Sequence, residues 1–334
     1  MPARYVETLT QASDDEQCHP GRQAGFKLGN DPSADGCIQR YCVAVSEALV
    51  DAAEHICDLT GALYHAQLKR PFMNDHTPPS RLLYDRALLL HGPKRSEILT
   101  LDEVRQYGTD SFSDVDYLSI YGLKPAEWYA RGIRLLGRTA VECTRDLLAD
   151  RIGRDIAELT ASLPKLTSVT VFDPFAGSCN TLYWILRHVP SSEGLAFEFD
   201  PQVFEVTNRN ISGLDRRIAL RRGDFLANLA SLDLPTGHAL VVFVAPPWGG
   251  ALDEVRGLDL RRTEPPIAVI VDRIAQRYPD RRLLFATQVY EKIEPASLAE
   301  LEGTFDWSQL NVYGFDEAGR NHGILLGTKG WAPD

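Results

Sequence analysis

The sequence contains no apolar run long enough to cross a membrane. The longest, HALVVFVAPPW, is far shorter than the roughly 20 residues that a transmembrane helix needs. The first residues, MPARYVETLTQASDDEQC, lack the apolar centre of a signal peptide. We therefore expect a cytoplasmic protein.

Closely spaced cysteine pairs are also missing. The six cysteines are scattered, with no C-x-x-C motif, whereas zinc and redox sites usually require such pairs. We expect reduced thiols and no metal site. The less favoured alternative is a metal site formed by Cys18, His19, Cys37 and Cys42, whose spacing matches no closed zinc pattern.

Positive charge is in deficit, because 35 Lys and Arg face 46 Asp and Glu, for a formal net charge of −11. A protein that binds many phosphates normally presents a basic face or a basic domain. The arginine clusters in DRRIALRRGD and LDLRRTEPP are short, and solvated helix ends are their simpler explanation. RNA is therefore a disfavoured partner, although a small, locally complementary site is compatible with this charge.

The pattern of apolar residues divides the chain into three parts. Residues 1–36 are polar and predict a partly disordered arm. Residues 37–165 show helical spacing and predict a mainly helical N-terminal or lid region. Within it, Thr100 and Glu103 form a capping box, and the stretch after Pro125 predicts one or two amphipathic helices.

Residues 166–334 alternate between short apolar strands and amphipathic helices. This alternation predicts an α/β fold with a doubly wound, mostly parallel sheet. The last two strands, QLNVYGF and HGILLGTKGW, flank a turn and predict an antiparallel hairpin.

Four predicted strands end in residues suited to a nucleotide-like ligand, and ligands of doubly wound sheets lie at these carboxyl ends. Gly177 and Ser178 form a tight turn before a helix, whose free N–H groups can face a ligand. Glu198 can accept hydrogen bonds from ribose hydroxyls, and Asp224 with Phe225 suits an adenine. Each signal alone is weak, but together they predict a binding site. The four ends are VFDPFAGSCNT, LAFEFDP, RRGDFLAN and VAPPWGG.

These motifs resemble those of class I S-adenosylmethionine (SAM)-dependent methyltransferases. DPFAGSCNT resembles the amino-methyltransferase motif D-P-F-x-G-S-G-T-T, with Cys179 and Asn180 as departures, and APPWGG resembles [DNS]-P-P-[YFW]. GDFL and PPWGG, followed by LDLRR, are most similar to trimethylguanosine-synthase-like, guanine-N2 enzymes. The resemblance covers about residues 169–330 and implies a Rossmann-like methyltransferase domain there, whereas residues 1–120 resemble no known family.

The resemblance also implies a role for each motif. SAM would be the cofactor and S-adenosylhomocysteine (SAH) the product. The implied cofactor residues are Asp173, Phe175, Gly177, Ser178, Asn180 and Thr181 at the methionine end, Glu198 and Asp200 at the ribose, and Asp224 and Phe225 at the adenine. The implied catalytic residues, which meet the acceptor, are Ala245, Pro246 and Trp248.

Ala245 departs from the family pattern, because its methyl group cannot accept a hydrogen bond. In the related amine methylases the residue at this position and a following carbonyl accept hydrogen bonds from the amine. A buried donor left without its acceptor costs about 1–3 kcal/mol. Either other groups hold the amine, or the acceptor atom is not an exocyclic NH₂. Ala245 therefore makes a base-amino substrate less favoured.

We expect an enzyme that transfers a methyl group by SN2 to a planar, nitrogen-containing small molecule stacked on Trp248. Such a reaction depends mainly on positioning and desolvation. The alternatives are an RNA or cap guanine-N2 methyltransferase and a catalytically inactive SAM-fold binding protein. The acceptor's identity and the oligomeric state are not encoded in these patterns. Candidates for a general base or for substrate contacts are Asp114, Asp116, Tyr117, Tyr121 and Tyr290.

Overall fold

A computed structural model describes residues 82–163, 168–190, 192–235, 238–253, 255–314 and 322–333. All described residues lie within one compact unit, Ser80–Asp334. The predicted polar arm (1–36) and the first predicted helices lie outside the described residues, as do Cys18, His19, Cys37 and Cys42.

Seven strands form one twisted sheet in the order β3-β2-β1-β4-β7-β9-β8. The first five in this order run parallel, and β9 is antiparallel to both of its neighbours. The predicted α/β class, the mostly parallel sheet and the terminal hairpin are confirmed. A small two-stranded ribbon, β5 and β6, lies apart from the sheet. The strands are β1 (Val169–Asp173), β2 (Glu193–Glu198), β3 (Ile218–Arg222), β4 (Ala239–Val244), β5 (Leu252–Asp253), β6 (Gly257–Leu258), β7 (Leu283–Tyr290), β8 (Trp307–Tyr313) and β9 (His322–Lys329).

The central strands are apolar throughout because helices cover both faces of the sheet. Every residue of β1 and β4 is buried. Along β4 the side chains alternate between two cores, with Val242 in one and Val241 and Phe243 in the other. The sheet is thus a rigid platform whose strand ends can hold a site.

The helices of the described residues flank this sheet. They are α1 (Leu101–Phe112), α2 (Pro125–Ala130), α3 (Gly137–Glu142), α4 (Asp146–Ala161), α5 (Asn180–His188), α6 (Pro201–Ile211), α7 (Phe225–Asn228), α8 (Ile267–Arg277) and α9 (Pro295–Glu302). The Thr100–Glu103 capping box at the start of α1 is confirmed. In the part of the chain that the structure describes, no helix combines the length and apolarity needed to span a membrane.

The stretch after Pro125 forms three helices, so the prediction of one or two was wrong. Gly132, at φ +81°, turns the chain out of α2, and Cys143 has extended backbone between α3 and α4. Helical apolar spacing continues across these breaks, which is why the sequence pattern did not show them.

Residues 101–161 are called the helical segment below. Its part before α4 has an apolar core of its own, whereas α4 packs on the sheet through Leu148, Ile152 and Ile156. Trp128, fully buried at the centre of the segment's own core, packs with Leu118 and Ile120. Tyr183 of α5 joins the same cluster. The helical segment is therefore packed directly against the first helix after β1, next to the strand ends predicted to bind ligand.

Candidate active site

The four predicted strand ends lie side by side at one edge of the sheet. Asp173 and Glu198 are the last residues of β1 and β2, Asp224 follows β3 and Ala245 follows β4. These strands are parallel, and β1 lies between β2 and β4. The chain order reverses at β1, which is where open α/β sheets bind their ligands.

The loop of residues 174–179, called the glycine loop below, is hydrogen-bonded to the last residue of β2, Glu198. The Gly177 N–H donates to Glu198 Oε2 at 2.9 Å, and the Thr207 hydroxyl donates to the Gly177 carbonyl at 2.7 Å. Gly177 has φ +48°, which suits a residue without a Cβ. Cys179, where the family motif has glycine, also has positive φ, at +57°, and is completely buried.

Glu198 is the carboxylate most available for a ligand. Its two oxygens accept one hydrogen bond each, from the N–H groups of Gly177 and Asp200 (2.8 Å), and each retains accepting capacity. Burial raises the pKa of Glu198 above its usual value. Asp200 lies beside it, but its oxygens cap α6 and pair with Arg138 at 2.9 Å. Asp200 therefore stabilises the local fold as well as facing the site.

Asp173 is buried under the glycine loop, with 1% of its surface exposed. Its Oδ1 accepts a hydrogen bond from the Phe175 N–H at 3.0 Å. Burial, with a smaller contribution from Glu198, raises the pKa of Asp173 to about 7.

The predicted adenine residues differ in their surroundings. Phe225 is buried, with its ring packed against the edges of Phe172 and Phe175 at centroid distances of 6.1 and 5.3 Å. Asp224 caps the short helix α7 by accepting the Leu226 N–H at 2.8 Å. Phe225 is therefore part of the core beneath the strand ends, and its ring already packs against the rings of Phe172 and Phe175.

Phe199 was not singled out from the sequence, although it follows Glu198 directly. It is 77% exposed, which is unusual for an aromatic residue at the tip of a buried strand. Its neighbours on both sides are carboxylates. A flat apolar ring beside a ribose-binding candidate is suited to an adenine face. The signal in the sequence was an aromatic residue between two acids at a strand end.

At the end of β4, Pro246 is buried and Trp248 is half-buried. The Trp248 ring stacks on His322, with centroids 5.5 Å apart and planes at 22°. Tyr290 contacts both rings edge-on, at 6.2 Å from Trp248 and 6.1 Å from His322. The structure thus brings Trp248 and Tyr290 together and adds His322, the first residue of β9, which sequence reasoning missed.

A cavity of about 430 Å³ adjoins this aromatic cluster. That volume lies in the range of small-molecule sites. Gln288 and His322 form its wall on the sheet side, and the helical segment forms much of the rest. Tyr117 lines the cavity, stacked on Phe112 at 3.5 Å. Aromatic and polar walls together suit a planar molecule with a few hydrogen-bonding groups.

Three other predicted residues lie away from this cavity. The Tyr121 side chain is buried, and its hydroxyl donates to the Ser178 carbonyl, so it holds the glycine loop. Asp116 pairs with Lys124 at 2.9 Å, and its N–H donates to Asp114. Asp114 and Asp116 thus stabilise a turn of the helical segment, and neither belongs to the cavity lining.

Asn180 and Thr144 connect the helical segment to the site. The Asn180 side-chain NH₂ donates to the Thr144 carbonyl at 2.7 Å, and its Oδ1 accepts the Tyr121 N–H at 2.7 Å. The Thr144 hydroxyl donates to Gln288 Oε1 at 2.9 Å. Thr144 therefore contacts both the first residue of α5, directly after the glycine loop, and the cavity wall.

No family model matches the chain, and no curated protein matches its sequence. Solved structures of methyltransferases do match it. The METTL16 MTase domain is 13% identical over 72% of this chain and 91% of that chain, with a TM-score of 0.43. Human methyltransferase 10 domain containing protein is 15% identical over 54% and 80%, with a TM-score of 0.36. A precorrin-6y C5,15-methyltransferase from Geobacter metallireducens is 14% identical over 55% and 89%, with a TM-score of 0.36. At this identity the likeness is one of fold.

Proposed function

We propose that the protein is a SAM-dependent methyltransferase of the cytoplasm that methylates a planar, nitrogen-containing small molecule. The observation that carries this proposal is a juxtaposition at one edge of the sheet. The glycine loop and Glu198 form a place for a nucleoside-like cofactor, and the Ala245–Trp248 turn lies beside a cavity of small-molecule size.

The residues present fit SAM. Backbone N–H groups at the start of α5 and the Asp173 and Glu198 carboxylates suit its amino-acid and ribose parts. The exposed Phe199 ring suits the adenine. When bound, SAM supplies an electrophilic methyl group. A cationic ligand beside Asp173 would also favour the ionised form of this buried carboxyl group.

The chain's own contribution to the reaction is positioning. Trp248 offers an apolar face at the end of β4, and Pro246 fixes the backbone there because proline has a restricted φ. The cavity walls position the acceptor between the sheet and the helical segment, and methyl transfer by in-line displacement gains most from alignment and desolvation. Tyr117 in the cavity wall and Tyr290 in the aromatic cluster are proposed to contact the acceptor.

The alternative acceptor is RNA or a cap guanine, supported by the order of the PPWGG and LDLRR motifs. In the structure Arg261 of LDLRR pairs with Asp259 at 2.9 Å and with Glu294 at 2.8 Å. Its charge is therefore neutralised by the chain's own acids. Together with the net charge of −11, this favours the small acceptor.

The test follows methyl transfer from labelled SAM into an extract of the source cells, with products separated by size and treated with or without ribonuclease. We expect label in the small-molecule fraction that ribonuclease does not change. Large, ribonuclease-sensitive label would support the RNA alternative instead. Absence of label would point to a binding protein without catalytic activity.

Calorimetry with SAH tests the cofactor site separately. We expect Glu198→Gln to weaken SAH binding about tenfold or more, because hydrogen bonds to charged groups contribute about 1.5–3 kcal/mol. Glu193→Gln, at the exposed start of the same strand, is the matched control and should bind like the wild type. Equal affinities for all three proteins would contradict the assignment of Glu198.

A further inference from the structure

Gln288 lies beside Ala245 on the neighbouring strand. Strands β4 and β7 are parallel, and Val244 pairs with Thr287 at the end of the ladder. The next residues along the two strands are Ala245 and Gln288. Because side chains alternate along a strand, both lie on the face that carries Phe243 and Ala286. Ala245 lacks a group that accepts hydrogen bonds. The residue next to it in register on β7 is Gln288, whose side chain is a carboxamide.

The carboxamide of Gln288 has a defined orientation. Its Oε1 accepts the Thr144 hydroxyl at 2.9 Å, and the Thr144 carbonyl is in turn held by Asn180. Oε1 keeps one lone pair after this bond, whereas the Nε2 amino group has two protons to donate, so donation is the larger hydrogen-bonding capacity that the carboxamide offers to the cavity. Within the described ranges, Nε2 makes no hydrogen bond, although Gln288 is part of the cavity wall.

We infer that Gln288 positions the methyl acceptor by donating a hydrogen bond from Nε2 to it. The contacted edge of the acceptor then carries a carbonyl oxygen or an unprotonated ring nitrogen. An exocyclic amino group is less favoured at this point, since Ala245 cannot accept its proton and Gln288 has two protons to donate but one lone pair left to accept. This inference rests on the proposed function and narrows its substrate class.

The position of Gln288 also explains how the acceptor can be held although the residue before the two prolines, Ala245, is not polar. A side chain at position 245 would face an amine from the turn itself, whereas Gln288 approaches from the next strand and from the side of the helical segment. The hydrogen-bonding side chain thus lies on β7 instead of at the end of β4. It donates a hydrogen bond, whereas the polar residue of the resembled motif accepts one.

The test uses two planar probes built on fused six-membered ring pairs of the same size. Quinoline has one polar atom, an unprotonated ring nitrogen that accepts, whereas 1-naphthylamine presents an amino group that donates. Binding of each probe to the SAH-loaded protein is measured by ligand-observed NMR titration. We expect the wild type to bind quinoline more tightly. Gln288→Glu, which replaces the donor with an acceptor, should weaken quinoline binding about fivefold to tenfold and strengthen naphthylamine binding.

Two further variants make the outcome specific. Gln276→Glu, on the exposed side of α8, adds the same charge elsewhere and should leave both affinities unchanged. Thr144→Val removes the hydroxyl that orients the carboxamide, and we expect it to reduce the preference between the probes without abolishing binding. Equal probe affinities in the wild type, no quinoline binding, or an unaltered preference in Gln288→Glu would overturn the inference. Failure of the wild type to bind SAH would instead overturn the proposed function.

Discussion

The Tyr121 hydroxyl donates a hydrogen bond to the carbonyl oxygen of Ser178, so a tyrosine of the helical segment fixes the glycine loop. Tyr121 is buried, and its ring also meets Tyr183 edge-on at 5.6 Å. The loop is therefore held from two directions, by β2 through Glu198 and by the helical segment through Tyr121.

Replacing Tyr121 with phenylalanine removes this hydrogen bond and keeps the ring. We expect SAH affinity to fall about threefold to tenfold, since a net hydrogen bond contributes about 0.5–1.5 kcal/mol and the loop carbonyl loses its donor. Calorimetry measures the affinity. Tyr129→Phe is the control, because the Tyr129 ring serves as a platform for Arg134 at 3.7 Å and retains that role as phenylalanine. The same loss in both variants would contradict a specific role for Tyr121.

Phe199→Ala tests the exposed ring at the tip of β2. We expect SAH affinity to fall about tenfold, because aromatic pairs contribute about 0.5–1.5 kcal/mol beyond the apolar area they bury. The melting temperature without ligand should hardly change, since the ring is 77% exposed. Val269→Ala, at an exposed position of α8, should alter neither quantity. Normal SAH binding by the Phe199→Ala variant would remove Phe199 from the site.

Asp173 should make stability depend on pH. Its pKa is raised from 3.8 to about 7 in the folded protein, so between these values the folded state binds a proton that the unfolded state releases. The contribution of Asp173 to the free energy of unfolding should therefore decrease as the pH rises from about 4 to about 7. Denaturant titrations at several pH values should show a smaller decline for Asp173→Asn than for the wild type. Parallel curves would mean that Asp173 titrates normally.

Cys179 offers a test of backbone strain. At φ +57° a residue with a Cβ is disfavoured by about 1–2 kcal/mol relative to glycine. Cys179→Ala keeps the Cβ and loses the buried sulfur, whereas Cys179→Gly loses both. We expect the glycine variant to be more stable than the alanine variant by about 1 kcal/mol in urea titrations, the reverse of the usual order. A less stable glycine variant would show that the loop tolerates the Cβ without strain.

The strand ends were predictable from the sequence because buried apolar runs and capping residues are local signals. Asp173 and Glu198 are the last residues of strands that the pattern predicted, and Asp224 and Ala245 come shortly after two others. Helix α5, expected near Thr181, begins at Asn180.

Other parts of the site depend on which strands become neighbours, and this is decided by tertiary packing. His322 stacks on Trp248 because β9 is placed between β7 and β8, and no local pattern encodes that order. Gln288 is far from Ala245 in the sequence, and only the parallel register of β4 and β7 brings them together. The trimethylguanosine-synthase-like placement and the small acceptor stay predictions for the experiments above.

Thr144 contacts Asn180 through its carbonyl and Gln288 through its hydroxyl. We expect a ligand at the glycine loop to order Asn180, the next residue, and through it Thr144 and the Gln288 carboxamide in the cavity wall. The two binding events are then thermodynamically coupled, and coupling of this kind is reciprocal. Titrating quinoline with and without SAH, and SAH with and without quinoline, should give the same factor. The enzyme would thus hold its acceptor most tightly when a methyl donor is already in place, which favours an ordered kinetic sequence.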